Sequence, residues 1–277
     1  MANQVALALE KARLHKEELR HERVEEELTV ARQIQMSMLP VTPPRLPGWQ
    51  YATYFEAAHQ VGGDFYDYFP LPGEQGRWGI AIADVSDKGV PAAIFMAMSR
   101  TTIRNIALRG RSPAEVLSWA NRYIQEDSQS DMFLSAFYAE LNMNTGQLIY
   151  ANAGHNPPLL WRAGEKEFYR LPATSPLLGV LANLDVSAAS IDIYPGDVLI
   201  LYTDGISEAL DADYGEFGLT RLKDTIRNFI ERTPNPRAED IKTAIADAVG
   251  AFTGNVMQHD DITLLIVKRD EVPDGSQ

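Results

Sequence analysis

The stretch Ile80–Ala93, IAIADVSDKGVPAA, sets the tightest limit on what the chain can fold into. Its first four residues, Ile80 to Ala83, form a short apolar run suited to a strand buried on both faces. The run stops at Asp84, Val85–Gly89 carries turn chemistry, and Pro91 stands where a helix opens. A carboxylate at the exit of a buried strand is costly unless a cation or hydrogen bonds compensate it. Alone, such an aspartate is more often a cap or turn former. The same grammar recurs at Asp64, after Gly62 and Gly63; at Asp204, after Val198–Tyr202; and at Asp260, before Ile262–Val267. If these strands lie side by side, four carboxylates converge on one rim of a sheet.

Four convergent aspartates with no lysine or arginine nearby would repel and hold one another's pKa values up, unless divalent cations neutralise them. All-oxygen ligands suit Mg²⁺ or Mn²⁺, whereas a His-poor, Cys-free set does not suit zinc. Two such ions a few Å apart are a standard device for hydrolysing phosphoesters.

Composition narrows the alternatives. The 277 residues are 45% hydrophobic and 23% charged, enough for one large domain or two small ones with a real core. A net charge of -13 argues against a nucleic-acid or anionic-membrane surface. The absence of cysteine excludes disulfides, thiolate zinc sites and cysteine-nucleophile routes to phosphate-ester hydrolysis. No apolar run reaches membrane-spanning length and the N-terminus lacks a signal-peptide core, so the expected compartment is the cytoplasm.

Residues 1–39 read as one charged helix, free of Gly and Pro, with Leu7, Leu14, His21 and Leu28 seven apart. Glu10 and Glu17 interrupt the seam, leaving a dimerising coiled coil and a helix docked on its own domain both open. Pro40, Pro43, Pro44 and Pro47 end it. The expected organisation is a signalling or linker helix over 1–39, a globular domain over 40–270 and a tail over 271–277. Within the domain, strands are expected at Trp49–Ala57, Trp78–Ala83, Tyr169–Leu171, Ala188–Tyr194, Val198–Tyr202 and Ile262–Val267. Residues 133–162 read as one hairpin with a long second arm. Helices are expected over Pro91–Leu108, with Ile94, Met98 and Ile103 facing the core, after Ser112 as an N-cap, and near 218–231 and 237–253.

Five motifs in order, VGGDFYD, ADVSDKGVPAA, NAGHNPPLL, LYTDGISEALDADYGEFG and HDDITLLIV, resemble the bacterial PPM (PP2C-like) serine/threonine phosphatases of the stage II sporulation and stress-regulator type. The resemblance covers roughly residues 30–268. It implies an α+β fold, an αββα sandwich of two mainly antiparallel sheets, with two Mn²⁺ or Mg²⁺ ions at one end. It further implies hydrolysis of phosphoserine or phosphothreonine on a signalling protein, typically a STAS-domain anti-sigma-factor antagonist, by metal-activated water without a phosphoenzyme.

Residue by residue, Asp84 matches the aspartate that bridges both metals, and Val85 would lend its carbonyl. Asp204 and Asp260 match the carboxylates of the first metal; Asp64 matches the acidic residue near the second. Asp261 stands at a position just outside the ligands, and Gly63 and Gly205 would let the backbone approach the ions. The chain departs from the pattern at Val85 and Ser86, where the eukaryotic branch has glycine and histidine, and at His59, often arginine in bacterial relatives. Asp87 replaces a common glycine and is read as a turn residue.

Competing readings are weaker. GGDF at Gly62–Phe65 invites a diguanylate-cyclase reading, but Phe65 stands where that family is acidic. Asp211–Gly215 mimics the start of a calcium loop, yet Leu222 stands where a bidentate Glu is needed. His155 reads as a braced loop histidine before a catalytic one, and His259 as a lesser proton carrier than its neighbour Asp260. The N-terminal helix resembles the terminal helix of a GAF sensor domain, implying a sensor upstream of Met1, a homodimer through this helix, and a bias between inactive and active states; a plain spacer stays open. The alternative from another class is a catalytically silent phosphatase-fold scaffold that binds a phosphoprotein. A two-metal hydrolase for small phosphoesters is a third.

Overall fold

In the computed structural model, residues 2–40, 46–127 and 132–271 are described, and they fall into two units, Met1–Met38 and Leu39–Gln277. The first is a single helix, α1 (Ala2–Met38). Ion pairs one turn apart, Arg13–Glu17 and Arg23–Glu27 at 3.2 Å, line its surface, and Leu7, Leu14, Leu19, Val24 and Ile34 are exposed. Pro43 and Pro44 of the expected boundary, and the expected tail beyond Glu271, lie outside the described residues.

The second unit alternates strands and helices: β1 (Trp49–Glu56), β2 (Phe65–Pro70), β3 (Arg77–Val85), α2 (Val90–Ala107), α3 (Pro113–Asp127), β4 (Leu134–Asn142), β5 (Gln147–Ala153), β6 (Leu159–Arg162), β7 (Glu167–Arg170), β8 (Ala189–Asp192), β9 (Val198–Tyr202), α4 (Asp204–Ser207), α5 (Gly218–Arg232), α6 (Ala238–Thr253) and β10 (Ile262–Arg269). Two five-stranded antiparallel sheets result, ordered β1-β10-β9-β6-β7 and β2-β3-β4-β5-β8. Helices α5 and α6 cover the outer face of the first, α2 and α3 that of the second. This is the αββα sandwich.

Burial on both faces explains the uninterrupted apolar strands. In β9, Leu199 and Leu201 join the core between the sheets, while Val198, Ile200 and Tyr202 pack under α5 and α6. In β10, Leu265 and Val267 face inward and Leu264 and Ile266 outward. Period-2 alternation is present in space but invisible in hydropathy, because both sides are apolar.

Three local expectations change. The strand expected to stop at Ala83 runs on to Val85, so Asp84 is a ladder residue opposite Ser135. The hairpin expected over 133–162 has no single second arm. Its residues form β5 and β6, which lie in different sheets, and the crossing is made at Gly154 (φ +67°), His155 and the Pro157-Pro158 pair, neither of which can donate to a ladder. Of the three α2 residues expected to face the core, Ile103 is buried and Met98 packs partly buried against the core, but Ile94 is exposed; Ala92, Phe95, Met96 and Ser99 are buried as well. The α3 N-terminus behaves as read: Glu115 accepts from the Ser112 amide (2.9 Å) and hydroxyl (2.8 Å). Among the described residues no helix is long and apolar enough to cross a membrane.

Candidate metal centre

Strand register brings the four aspartates together. Phe65 pairs with Ala83, so Asp64, one residue before β2, meets Asp84 near the end of β3. Tyr202 pairs with Leu264, and the Thr203 amide donates to the Thr263 carbonyl (3.1 Å), so Asp204 leaves one strand where Asp260 and Asp261 enter its neighbour. One pair comes from each sheet.

Asp64 is buried, and the Thr263 hydroxyl donates to its Oδ2 at 2.6 Å. Burial, then the Asp84 and Asp261 carboxylates, hold Asp64 well above the ordinary carboxylate range. Burial and the charge of Asp204 push Asp84 up to about 7, against the opposing effect of a hydrogen bond with Asp64. Asp204 is raised by burial and by Asp260, and eased by the Gly205 amide and Lys88. The carboxylates are thus near enough to disfavour one another's charge.

The glycines permit these approaches. A Cβ on Gly205 would collide with the Asp261 carbonyl oxygen, and one on Gly63 would stand 3.1 Å from the Val85 carbonyl oxygen. Asp261 acts as a clamp: its Oδ1 accepts from the Ala58 amide (2.8 Å), and its Oδ2 from the amides of Gly63 (2.6 Å) and Asp64 (3.3 Å). With both oxygens committed to backbone, it positions the Asp64 loop.

A cation does stand beside the carboxylates, contrary to the expectation of none. Lys88 Nζ lies 3.0 Å from Asp260 Oδ2 and also donates to the His259 carbonyl. The left-handed residues Asp87 (φ +75°) and Gly89 (φ +77°) flank it and fix the turn that aims it there. Among the described residues, no three acidic or imidazole side chains stand close enough to form a ready cation cage. The donor set nevertheless fits a hard divalent ion: oxygen-only, partly buried and mutually repelling, with Asp260 shared with one half-exposed lysine.

His155 is buried, with Nδ1 2.7 Å from the Ser135 hydroxyl. Burial lowers its pKa to about 3, so the imidazole is neutral. Its amide donates to Asn152 Oδ1 (2.8 Å), and Asn152 Nδ2 donates to the carbonyls of His155 (3.1 Å) and Leu171 (3.3 Å). The braced reading fits. Ser135, opposite Asp84, escaped the sequence reading because a lone serine in an apolar strand carries no signal. His59 and His259 are exposed. Asp211–Gly215 is a polar turn, with Asp211 Oδ1 accepting from the amides of Asp213 (3.0 Å) and Gly215 (2.8 Å).

Comparison with known proteins agrees with this architecture. The chain is 34% identical over 271 residues to protein IcfG of Synechocystis sp., covering 88% of this chain and 41% of that protein. It is 28% identical over 246 residues to the phosphoserine phosphatase RsbU of Bacillus subtilis, covering 89% of this chain and 71% of RsbU. The chain therefore spans less than half of IcfG. Among solved structures, the SiaA-PP2C domain of Pseudomonas aeruginosa superposes with a TM-score of 0.78 at 22% identity, covering 90% of this chain and 98% of that one. The catalytic domain of the serine/threonine protein phosphatase PstP, solved with two manganese ions, superposes at 0.57 with 13% identity, covering 80% and 99%. The model of stage II sporulation protein E (SpoIIE) matches residues 74–270, from β3 and its aspartate to the last strand, and the chain belongs to that family.

Proposed function

We propose that residues 40–270 are a metal-dependent protein serine/threonine phosphatase acting on phosphoserine or phosphothreonine of a signalling protein, a substrate of the STAS anti-sigma-factor-antagonist class. One observation carries the reading: Asp64, Asp84, Asp204 and Asp260, from four separate segments, share one rim where burial and neighbouring carboxylates disfavour the charge of Asp64, Asp84 and Asp204. The phosphoserine phosphatase RsbU and the manganese-bound PstP domain support it by family and fold respectively.

Asp84 would bridge two Mn²⁺ or Mg²⁺ ions, with Asp204 and Asp260 on one, Asp64 near the other, and the Val85 carbonyl as a further donor. Such ions acidify water and offset charge on the phosphoryl oxygens. The chain's own residues do the positioning. Thr263 orients Asp64, which in turn holds Asp84 by a hydrogen bond. Asp261 fixes the Gly63–Asp64 backbone, and the neutral His155 steadies Ser135 beside Asp84. Lys88 must release Asp260 for that carboxylate to serve a metal fully. Helix α1 would connect a GAF-type sensor to the domain and pair with a second copy through its exposed Leu7 and Leu14, in the cytoplasm.

The Lys88–Asp260 ion pair also favours a second reading, a silent scaffold in which lysine replaces metal. Hydrolysis of p-nitrophenyl phosphate with Mn²⁺, Mg²⁺ or EDTA separates the two. The phosphatase reading requires manganese-dependent turnover that EDTA and Asp84→Asn both abolish. Absence of both turnover and calorimetric Mn²⁺ binding would leave the scaffold.

A further inference from the structure

Beside the carboxylate rim lies a cavity of about 540 Å³, within the range of about 300–1,000 Å³ usual for ligand pockets. It shares Gly205 and Asp260 with the rim, so its occupant sits next to the reacting phosphate. Its floor is apolar, built from Ile206, Ile245, Val249 and Leu264, all buried. Its mouth is acidic: Glu56, Glu208 and Glu216 are exposed there. Among the described residues, no lysine or arginine lines the cavity.

Those two features select the occupant. An acidic mouth repels the phosphate dianion, so this is not a second phosphate seat. It attracts a cation, while the floor rewards removal of apolar area from water. Lysine and arginine combine an aliphatic stem with a charged head, and the volume has room for such a stem and one apolar side chain beside it.

We propose that this cavity is a substrate side-chain subsite, taking a basic residue with an apolar neighbour close in sequence to the phosphoserine. An extended chain advances about 3.3–3.6 Å per residue, and the shared wall places the recognised pair within roughly three residues of the phosphorylated position. The assignment deepens the phosphatase reading and rests on it for the identity of the substrate, but it concerns a separate surface.

The test is direct binding, followed by fluorescence anisotropy, of two labelled peptides of equal length with a central serine. One carries Arg-Leu next to the serine and the other Glu-Ser. Wild type is expected to bind the Arg-Leu peptide about tenfold more tightly, a difference of about 1.4 kcal/mol. Gly250→Trp should erase the preference, because Gly250 lines the cavity on α6 and a Cβ there meets only open space, so the indole fills the cavity without strain. Glu216→Lys, an exposed change, should reduce the preference severalfold and weaken its salt dependence, Glu56 and Glu208 remaining at the mouth. Thermal melts confirm that both variants are folded. Equal binding of the two peptides by wild type, or an unchanged preference in folded Gly250→Trp, overturns the subsite. Turnover of p-nitrophenyl phosphate by wild type is read separately. Turnover without peptide preference sinks the subsite alone; preference without either turnover or calorimetric Mn²⁺ binding sinks the phosphatase reading and leaves a peptide-binding cavity.

Discussion

Replacing Asp84 by asparagine should stabilise the metal-free protein at alkaline pH, although it destroys the proposed function. The folded state holds Asp84 at about 7 against an ordinary value of 3.8, because the carboxylate is buried and faces Asp204. A carboxyl whose folded pKa is raised favours folding below the unfolded value, and that advantage is lost as pH rises through the folded one. A shift of roughly three pKa units at about 1.36 kcal/mol each puts the cost of the ionised carboxylate on the order of 4 kcal/mol at pH 8. Asparagine keeps the size without the charge, though it reorganises the hydrogen bond to Asp64, so a net gain of about 2 kcal/mol is the working figure. Urea denaturation in EDTA at pH 4, 6 and 8 measures it. Wild type and variant should be similar at pH 4, and the variant should pull ahead across pH 4–8. Saturating Mn²⁺ should reverse the order, because it binds the wild-type site and stabilises by mass action. A variant less stable than wild type at pH 8 in EDTA would refute the electrostatic account of this rim.

Three further outcomes follow from individual contacts. Lys88→Ala removes a half-exposed ion pair, worth about 0–1 kcal/mol, that competes for Asp260, so calorimetric Mn²⁺ affinity should rise up to about fivefold; weaker binding would show that Lys88 supports the site. Asn152→Ala leaves the His155 amide and the carbonyls of His155 and Leu171 buried without their side-chain partner, and should cost about 3 kcal/mol in urea denaturation. Gly205→Ala forces a methyl group into the Asp261 carbonyl and should cost several kcal/mol, about 2–4, with Mn²⁺ binding lost by calorimetry; a variant as stable as wild type would mean the α4 turn moves freely.

What the sequence disclosed was local. The break from apolar run to aspartate marked all four rim residues, since a charge ending a buried strand is an anomaly at short range. The αββα fold came from the family resemblance, and most strands and helices lie close to where hydropathy put them, β2 and the split of β5 from β6 excepted. Three features needed the third dimension. The crossing at Gly154–Pro158 separates β5 from β6, but an apolar run looks the same whether it continues in one sheet or enters another. Asp84 extends β3 because Ser135 pairs with it, a partner 51 residues away that propensity does not weigh. Lys88 reaches Asp260 only because two left-handed residues bend the turn between β3 and α2, and nothing in the DKG tripeptide reveals its target.

The division of the aspartates between sheets has a mechanical consequence. Asp84 rides on one slab of the sandwich and Asp204 and Asp260 on the other, and the layer between the slabs is greasy side chains such as Leu199, Leu201 and Leu265. Grease tolerates a small slip, since apolar contacts carry little directionality. Oxygen donors around a cation do not, and a misplacement of about 1 Å at a reacting centre can cost about a hundredfold in rate. On the proposed metal-binding reading, the rim would work as a vernier. A displacement too slight to disturb the packing between the slabs would then be magnified into the difference between a metal site in register and one out of it.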